Sequence, residues 1–275
     1  MTRSVLVPSS VTREAEDKRE ATRKLGYVAR AATIFRVDRL VVFPDREGER
    51  RFGGGFVHTV LSYAATPPYL RKEVWGRRDE LEYVGVLPPL RIRSQTGSGS
   101  NGSGSLRQGI VTEVGPDGRV RVNCGLQHPI SLPAPAGEYE EGERVTIRVS
   151  SRRPVRAKLV DESPPGFAVE RAGIDESLAR PDAGVRIAAS RLGEPLSVDQ
   201  LGQLVEQVAD GLTVTFGAPE RGLPEILDCE PGEETFDDEP ETQFDLWLNT
   251  VPKQGSDVVR TEEAMFATLA VLTLE

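Results

Sequence analysis

Hydrophobic positions come in two rhythms along this chain, and the change from one to the other divides it. Val5-Leu6-Val7, closed by Pro8-Ser9-Ser10, is a short apolar run ending in turn residues, the pattern of a buried strand. From Arg13 to Phe35 the apolar residues Leu25, Val28, Ala29, Ala32 and Phe35 fall at the spacing that lines one helix face, while Arg19, Arg23, Lys24 and Arg30 occupy the other. Leu40-Val41-Val42-Phe43 predicts a second buried strand, and Pro44-Asp45 through Gly53, Gly54 and Gly55 a loop. Strand, helix and strand make a βαβ unit, which predicts a mostly parallel sheet covered by helices. A second helix is expected from Phe56 to about Ala65, interrupted by Pro67-Pro68 before Tyr69-Leu70-Arg71-Lys72.

After Leu87-Pro88-Pro89-Leu90 the rhythm changes. Thr96 to Ser105 reads TGSGSNGSGS, with nothing that could pack, and predicts a flexible linker or loop. Beyond it, residues 109–114, 119–122, 143–149 and 155–160 alternate as short strands, with a Gly115-Pro116-Asp117-Gly118 turn between the first two. About five short strands in some sixty residues suit a small barrel of the OB type. The strand pattern leaves Arg119, Arg121, Arg148, Arg152, Arg153, Arg156 and Lys158 exposed, as a solvated face or as a contact for RNA or DNA.

Past Pro164-Pro165-Gly166 the first rhythm resumes. Strands are expected at 184–189, 212–216 and 244–248, with a helix from Val198 to Val208. The predicted organisation is an α/β domain built from residues 1–92 and 164–275, with an inserted all-β domain at 93–163.

Charge refines this picture. The chain carries 34 Lys+Arg against 43 Asp+Glu, a formal net charge of -9. Residues 1–100 hold 18 bases and 12 acids, net +6, which leaves 16 and 31, net -15, for residues 101–275. Eleven acids and the single base Arg221 lie between Glu220 and Asp245, a run expected to be a solvated loop. Only five cations are Lys, so an acidic, lysine-poor surface is expected of a protein kept soluble in high salt. Acidity of that origin does not argue against a nucleic-acid partner, and basicity of the β segment within a net -15 background favours one.

Other classes are excluded by what is missing. No run approaches the 18 apolar residues of a membrane span, and the N-terminus lacks the apolar stretch of a signal peptide, so a cytoplasmic protein with no membrane partner is expected. Cys124 and His128 fall short of the four ligands of a zinc site, and with Cys229 the chain has only two thiols, so neither metal nor a disulfide framework is expected.

Two loops follow strands at their carboxyl ends, where open α/β sheets place ligands. Phe216-Gly217-Ala218-Pro219-Glu220-Arg221-Gly222-Leu223 lacks the residues of a P-loop and is not GxGxxG. The second loop runs from Leu248-Asn249-Thr250 through Gln254-Gly255-Ser256 to Arg260-Thr261-Glu262-Glu263-Ala264. Thr261 predicts an N-cap, and Glu262 and Glu263 suit either a helix first turn or catalysis. The helix from Ala264 to Leu274 is apolar nearly all round, so its own domain or a second subunit must bury it on several sides.

These two loops, together with Gly184-Val185-Arg186, Tyr69-Leu70-Arg71-Lys72, Val122-Asn123-Cys124-Gly125 and Val5-Leu6-Val7-Pro8, resemble the archaeal and eukaryotic RNA uridine-N3 methyltransferase family of the SPOUT superfamily. The resemblance covers nearly the whole chain. It implies an α/β methyltransferase domain with a C-terminal deep trefoil knot, S-adenosylmethionine held in the knot loops, and a homodimer formed through the knot and C-terminal helix. It places Arg186, Gly217, Asn249 and Thr250 at the methyl donor, with Gly255 in the loop from Pro252 to Ser256. Arg30 matches an arginine near the target nucleotide, or else makes a surface ion pair, and Glu262 is a second candidate for catalysis. Arg119, Arg121, Arg148 and Arg156 of the β domain are the expected RNA contacts. The implied substrate is uridine in structured RNA, with rRNA favoured; another acceptor, such as a ribose 2′-OH or a guanine nitrogen, and a nonenzymatic RNA-binding dimer are the alternatives.

Overall fold

A computed structural model of the chain describes residues 1–92, 105–116, 118–134, 137–152, 154–229 and 244–274. The glycine-serine stretch up to residue 104, Arg153 and residues 230–243 of the acidic run lie outside the described residues. The chain divides into two units, one of residues 1–65, 79–89 and 167–275, the other of residues 66–78 and 90–166.

The first unit grows from the βαβ pattern. Strand β1 (Arg3–Pro8), helix α1 (Lys18–Ile34) and strand β2 (Arg39–Phe43) follow one another, and β1 pairs with β2 in parallel, Val5 opposite Leu40. Val5, Leu6, Val7, Leu40 and Val41 are fully buried, as a strand covered on both faces requires. Asp17 caps α1, its side chain accepting from Glu20 N at 2.7 Å. Helix α2 (Gly54–Ala65) follows the β2 loop. Past the second unit come β8 (Ala168–Arg171), α4 (Ile174–Leu178), β9 (Val185–Pro195), α5 (Val198–Gln207), β10 (Leu212–Phe216), α6 (Leu223–Leu227), β11 (Leu246–Asn249) and α7 (Thr261–Leu272). Six strands form one parallel sheet in the order β11-β9-β10-β1-β2-β8.

Three sequence expectations change here. Lys24, assigned to the polar face of α1, is buried at 3% exposure. Thr261 is the first residue of α7 rather than its cap: Arg260 stands at the cap, with Glu263 accepting from Arg260 N at 2.9 Å. Phe244-Asp245 precedes β11 instead of belonging to it. As expected, α7 is buried over much of its surface, with Met265, Thr268, Leu269 and Leu272 nearly inaccessible.

The second unit is antiparallel. Strands β3 (Ser105–Gly115), β4 (Arg119–Asn123), β5 (Ile130–Pro133), β6 (Arg144–Arg152) and β7 (Val155–Leu159) pair in the order β5-β4-β3-β6-β7, and the edge strands β5 and β7 curl into contact. Their inward residues, Val111, Val120, Val122, Leu132, Val145 and Ile147 among them, form one core that includes the buried thiol of Cys124. The short helix α3 (Arg71–Trp75) belongs to this unit. Tyr69, just before it, donates its hydroxyl to Gln108 O at 2.8 Å, and burial pushes that hydroxyl up to about 12. Gly125, at φ +72, makes room for the ring: a Cβ there would lie 2.6 Å from Tyr69 Cγ.

Candidate functional site

Strand irregularity builds the site. Pairing between β11 and β9 runs Leu246 to Ile187 and Trp247 to Ala188, then jumps to Leu248 opposite Glu194. The intervening residues of β9 are thereby released from β11, and Ala189 to Leu192 become one wall of a cavity of about 340 Å³. Gly193 permits the crossing, since a Cβ there would sit 2.7 Å from Leu248 N. The second wall is the β10–α6 loop, and the third is the β11–α7 loop with Thr261, Ala264 and Thr268 of α7. All three lie at the carboxyl side of the parallel sheet, where open α/β sheets receive ligands.

The β10–α6 loop is held closed by its own backbone. Ala218 N donates to Arg221 O at 2.9 Å and Arg221 N to Ala218 O at 3.1 Å, with Pro219 and Glu220 at the corner. Glu220 has φ 59, the left-handed conformation that the third residue of a type II turn adopts. Gly217 is where this turn presses back on the strand: a Cβ there would lie 2.9 Å from Arg221 O and 3.0 Å from Gly222 Cα. Sequence reasoning gave this glycine to a ligand's approach; the geometry gives it to closure of the loop. Thr261 Oγ1 adds a bond to Gly217 O at 2.8 Å, fastening the loop to α7.

Asn249 and Thr250 line the cavity, but their side chains shape it rather than reach into it. Asn249 donates to Arg191 O at 3.0 Å and accepts from Val251 N at 3.0 Å, so it stitches the β9 wall to the β11–α7 loop. Thr250 Oγ1 shares a hydrogen with Thr268 Oγ1 at 2.8 Å. Gly255 is exposed beside the cavity with open space around it, between the lining residues Gln254 and Asp257.

Arg186 is placed elsewhere. It sits before the lining segment of β9 and is held by Asp245, which accepts from Arg186 N at 2.7 Å, Nε at 3.0 Å and Nη2 at 2.6 Å. The Arg186 guanidinium holds the Asp245 carboxyl below its ordinary value. Arg30 is also outside the cavity lining, with Nη1 donating to Pro89 O at 3.1 Å.

Glu262 turns away from the cavity and into the packing between α1 and α7. It is 6% exposed, with Lys24 Nζ 3.8 Å from Oε1 and no hydrogen-bond partner for Oε2 among the described residues. Glu14 pairs with Lys24 and, at 3.2 Å, with Arg260. Burial pushes the Glu262 carboxyl up while Lys24 pulls it back, and burial likewise lowers Lys24.

Arg221 and Asp45 are the pair that sequence reasoning missed. Arg221 lines the cavity, and its Nε donates to Asp45 Oδ1 at 3.1 Å. Asp45 is 5% exposed; it also accepts from the Ser10 hydroxyl and, at 3.3 Å, from Gly48 N. Arg221 reaches Glu225 at 2.9 Å and Glu47 at 3.4 Å as well. Asp45 lies two residues past the end of β2, so the rule that ligands gather at strand ends was the available signal.

Of the expected RNA contacts in the second unit, Arg119 bonds Ser131, Arg121 pairs with Glu113 at 3.2 Å and Arg148 pairs with Glu162. Arg156 is exposed and makes no ion pair among the described residues.

Among the described residues no group of His, Cys, Asp and Glu could hold a metal ion, and no helix is long and apolar enough to cross a membrane. The cavity has instead the features of a small-molecule site. Ala189, Leu192, Phe216, Leu248 and Val258 give it an apolar wall, while Glu220, Glu225 and Asp257 supply carboxylates. Arg191 and Arg221 add guanidinium groups to the same lining, Arg221 being paired with Glu225.

Comparison with known proteins bears on its occupant. Residues 2–272 match the family described as "Putative RNA methyltransferase". The chain is 70% identical to an uncharacterized protein of Haloarcula marismortui, over all of this chain and 99% of that protein. It is 30% identical to the human 28S rRNA (uridine-N(3))-methyltransferase over 98% of this chain and 77% of that protein, and 28% identical to the Drosophila melanogaster protein of that name over 98% and 61%.

Proposed function

The chain belongs to the RNA methyltransferase family that spans it, and from that membership we propose that it transfers a methyl group from S-adenosylmethionine to N3 of a uridine in rRNA. The observation that carries this reading is the cavity at the strand ends, whose walls are the two loops that bear the family resemblance. Its volume and apolar lining suit an adenosine, and its carboxylates suit a sulfonium and an amino group.

The bound donor supplies an electrophilic methyl group. The chain's task is to orient the acceptor in line with it and to let one proton leave. Uracil N3 lies on the Watson-Crick edge, so the base must be unpaired or extruded before the methyl can reach it. Gly217, Asn249 and Thr250 keep the two loops in the shape that receives the donor, through the contacts described above. Arg30 is our candidate for a contact near the target nucleotide. Glu262 enters this scheme through the packing of α7 on α1, because its carboxylate faces Lys24.

The chain order, with β9, β10 and β11 and their loops around one cavity, is compatible with a C-terminal trefoil knot, which we include in the proposal. We further propose that the curled antiparallel sheet is an OB-like module within a domain division at 1–92, 93–163 and 164–275, that the enzyme is a homodimer through the knot and C-terminal helix, and that it works in the cytoplasm. Support for the dimer comes from a half-covered apolar strip beside α7. Tyr27 and Ile34 of α1 and Leu274 are 45%, 47% and 50% exposed, and Phe266 meets Phe35 edge-on at 6.2 Å.

Isothermal calorimetry with S-adenosylmethionine tests the donor assignment. Binding is expected in the wild type and weakened binding in Asn249→Ala; a wild type that binds no donor overturns the methyltransferase mechanism.

A further inference from the structure

The loop between β2 and α2, Pro44 to Gly53, contains three acids and three arginines, and among the described residues the acids are paired while the arginines are not. Every acid has a partner within the fold, although Glu47 remains exposed. Asp45 holds Arg221 and the Ser10 hydroxyl, Glu47 reaches Arg221 Nη2 at 3.4 Å, and Glu49 accepts from Gly54 N at 3.0 Å. Glycine makes room for Asp45 and Glu49: a Cβ at Gly48 would lie 2.0 Å from Asp45 Oδ2, and one at Gly53 would lie 2.2 Å from Glu49 Oε2. Arg46, Arg50 and Arg51 are exposed and make no ion pair or hydrogen bond among the described residues.

A loop shaped only for solubility on a protein of net charge -9 would present its acids to water. This one buries Asp45, ties exposed Glu47 and half-buried Glu49 to partners within the fold, and leaves its three cations in solvent, unpaired among the described residues. The cations are also held in place, because Asp45 anchors the start of the loop, Glu49 its end, and Phe52 stacks on Phe56 of α2 at 4.8 Å. A fourth guanidinium, that of exposed Arg171, donates to Gly54 O at 3.3 Å where the loop enters α2.

Position gives this array its meaning. It lies at the carboxyl side of the parallel sheet, the same side as the cavity, and Arg221, which lines the cavity, is bonded to two residues of the loop. By contrast, two of the four arginines first expected to meet RNA are neutralised by Glu113 and Glu162. We propose that the β2–α2 loop is an RNA-docking surface of the methyltransferase unit, in which Arg46, Arg50 and Arg51 bind backbone phosphates beside the donor cavity. Phosphate contacts of this kind fix the register of a nucleic acid without reading its sequence. The tie through Asp45 and Arg221 makes the docked strand and the donor loop parts of one framework. The inference rests on the proposed action on RNA and extends it to a particular surface.

The test uses the full-length protein, an in vitro transcript of large-subunit rRNA and filter binding across a KCl series over which circular dichroism shows the fold intact. Two variants are compared, Arg46→Glu/Arg50→Glu/Arg51→Glu and the corresponding triple Lys variant. Each lost phosphate contact lowers the slope of log affinity against log salt by about 0.7–0.9, so the Glu variant is expected to lose about 2–3 units of slope. Its RNA affinity should fall at least about tenfold at the lowest salt of the series, while its calorimetric affinity for S-adenosylmethionine stays within about twofold of wild type. The Lys variant, which keeps the charge, should recover most of the RNA affinity. An unchanged slope in the Glu variant, with donor binding intact, overturns the docking surface and leaves the enzyme assignment standing. A wild type that binds donor but no transcript at any salt overturns the RNA reading itself, and with it this surface.

Discussion

Lys24 and Glu262 show how far a single residue can depart from its usual environment. Both are charged types, yet they lie buried between α1 and α7 with Glu14 and Arg260 around them. Removing Lys24 leaves the buried Glu262 carboxyl without its cation, while Glu14 keeps Arg260, so Lys24→Met is expected to lower stability by about 3 kcal/mol, read as a drop in melting temperature. A melting temperature equal to wild type would show that the pair contributes nothing. The pH dependence has a definite sign. Burial raises Glu262 in the folded chain, so over a window above the ordinary glutamate value of about 4.3 the folded state keeps a proton that the unfolded chain has lost. Stability from this group therefore falls as pH rises through that window, and Glu262→Gln should flatten the fall in urea unfolding midpoints measured pH by pH. An equally steep fall in the variant contradicts the assignment. Periodicity put Lys24 on the solvent face because a side chain's charge speaks for exposure and says nothing of partners such as Glu14, ten residues away, or Glu262, far along the chain.

Among the elements, those with strong local pattern were legible and those made by tertiary context were not. The β1–α1–β2 unit, α2, α5, β10 and four strands of the second unit follow from apolar period and turn residues. β5 and β8 were missed: each has four residues, too few for a period to stand out, so a neighbouring strand's hydrogen bonds define them. The site divides the same way. Gly217, Asn249 and Thr250, singled out from their loops, line the cavity, whereas Asp45 and Arg221 meet across 176 positions of sequence and no spacing rule joins them. Loop closure at Gly217 gives a sharp expectation. A methyl group 2.9 Å from Arg221 O must push the β10–α6 turn outward, so Gly217→Ala should weaken S-adenosylmethionine binding by about tenfold, or about 1.4 kcal/mol, in calorimetry. Unaltered affinity would mean that this turn does not shape the donor site.

At the scale of the molecule, the total charge of -9 conceals a basic first hundred residues, and the structure shows where part of that basicity is displayed. The β2–α2 loop puts it at the cavity side of the sheet, a placement composition could suggest only by segment. The apolar strip of α1 and α7 makes a further expectation at this scale. Sedimentation equilibrium should find a dimer, and Ile34→Glu with Phe266→Glu should convert it to a monomer. A monomeric wild type would contradict the proposed assembly. Specificity remains the property on which the whole reading turns, because cavity, loops and charge would serve any methylated base. Nucleoside mass spectrometry of rRNA from cells lacking this protein tests it most directly. The account predicts that 3-methyluridine is lost from large-subunit rRNA and returns with the wild-type gene; rRNA in which all 3-methyluridine persists would contradict it.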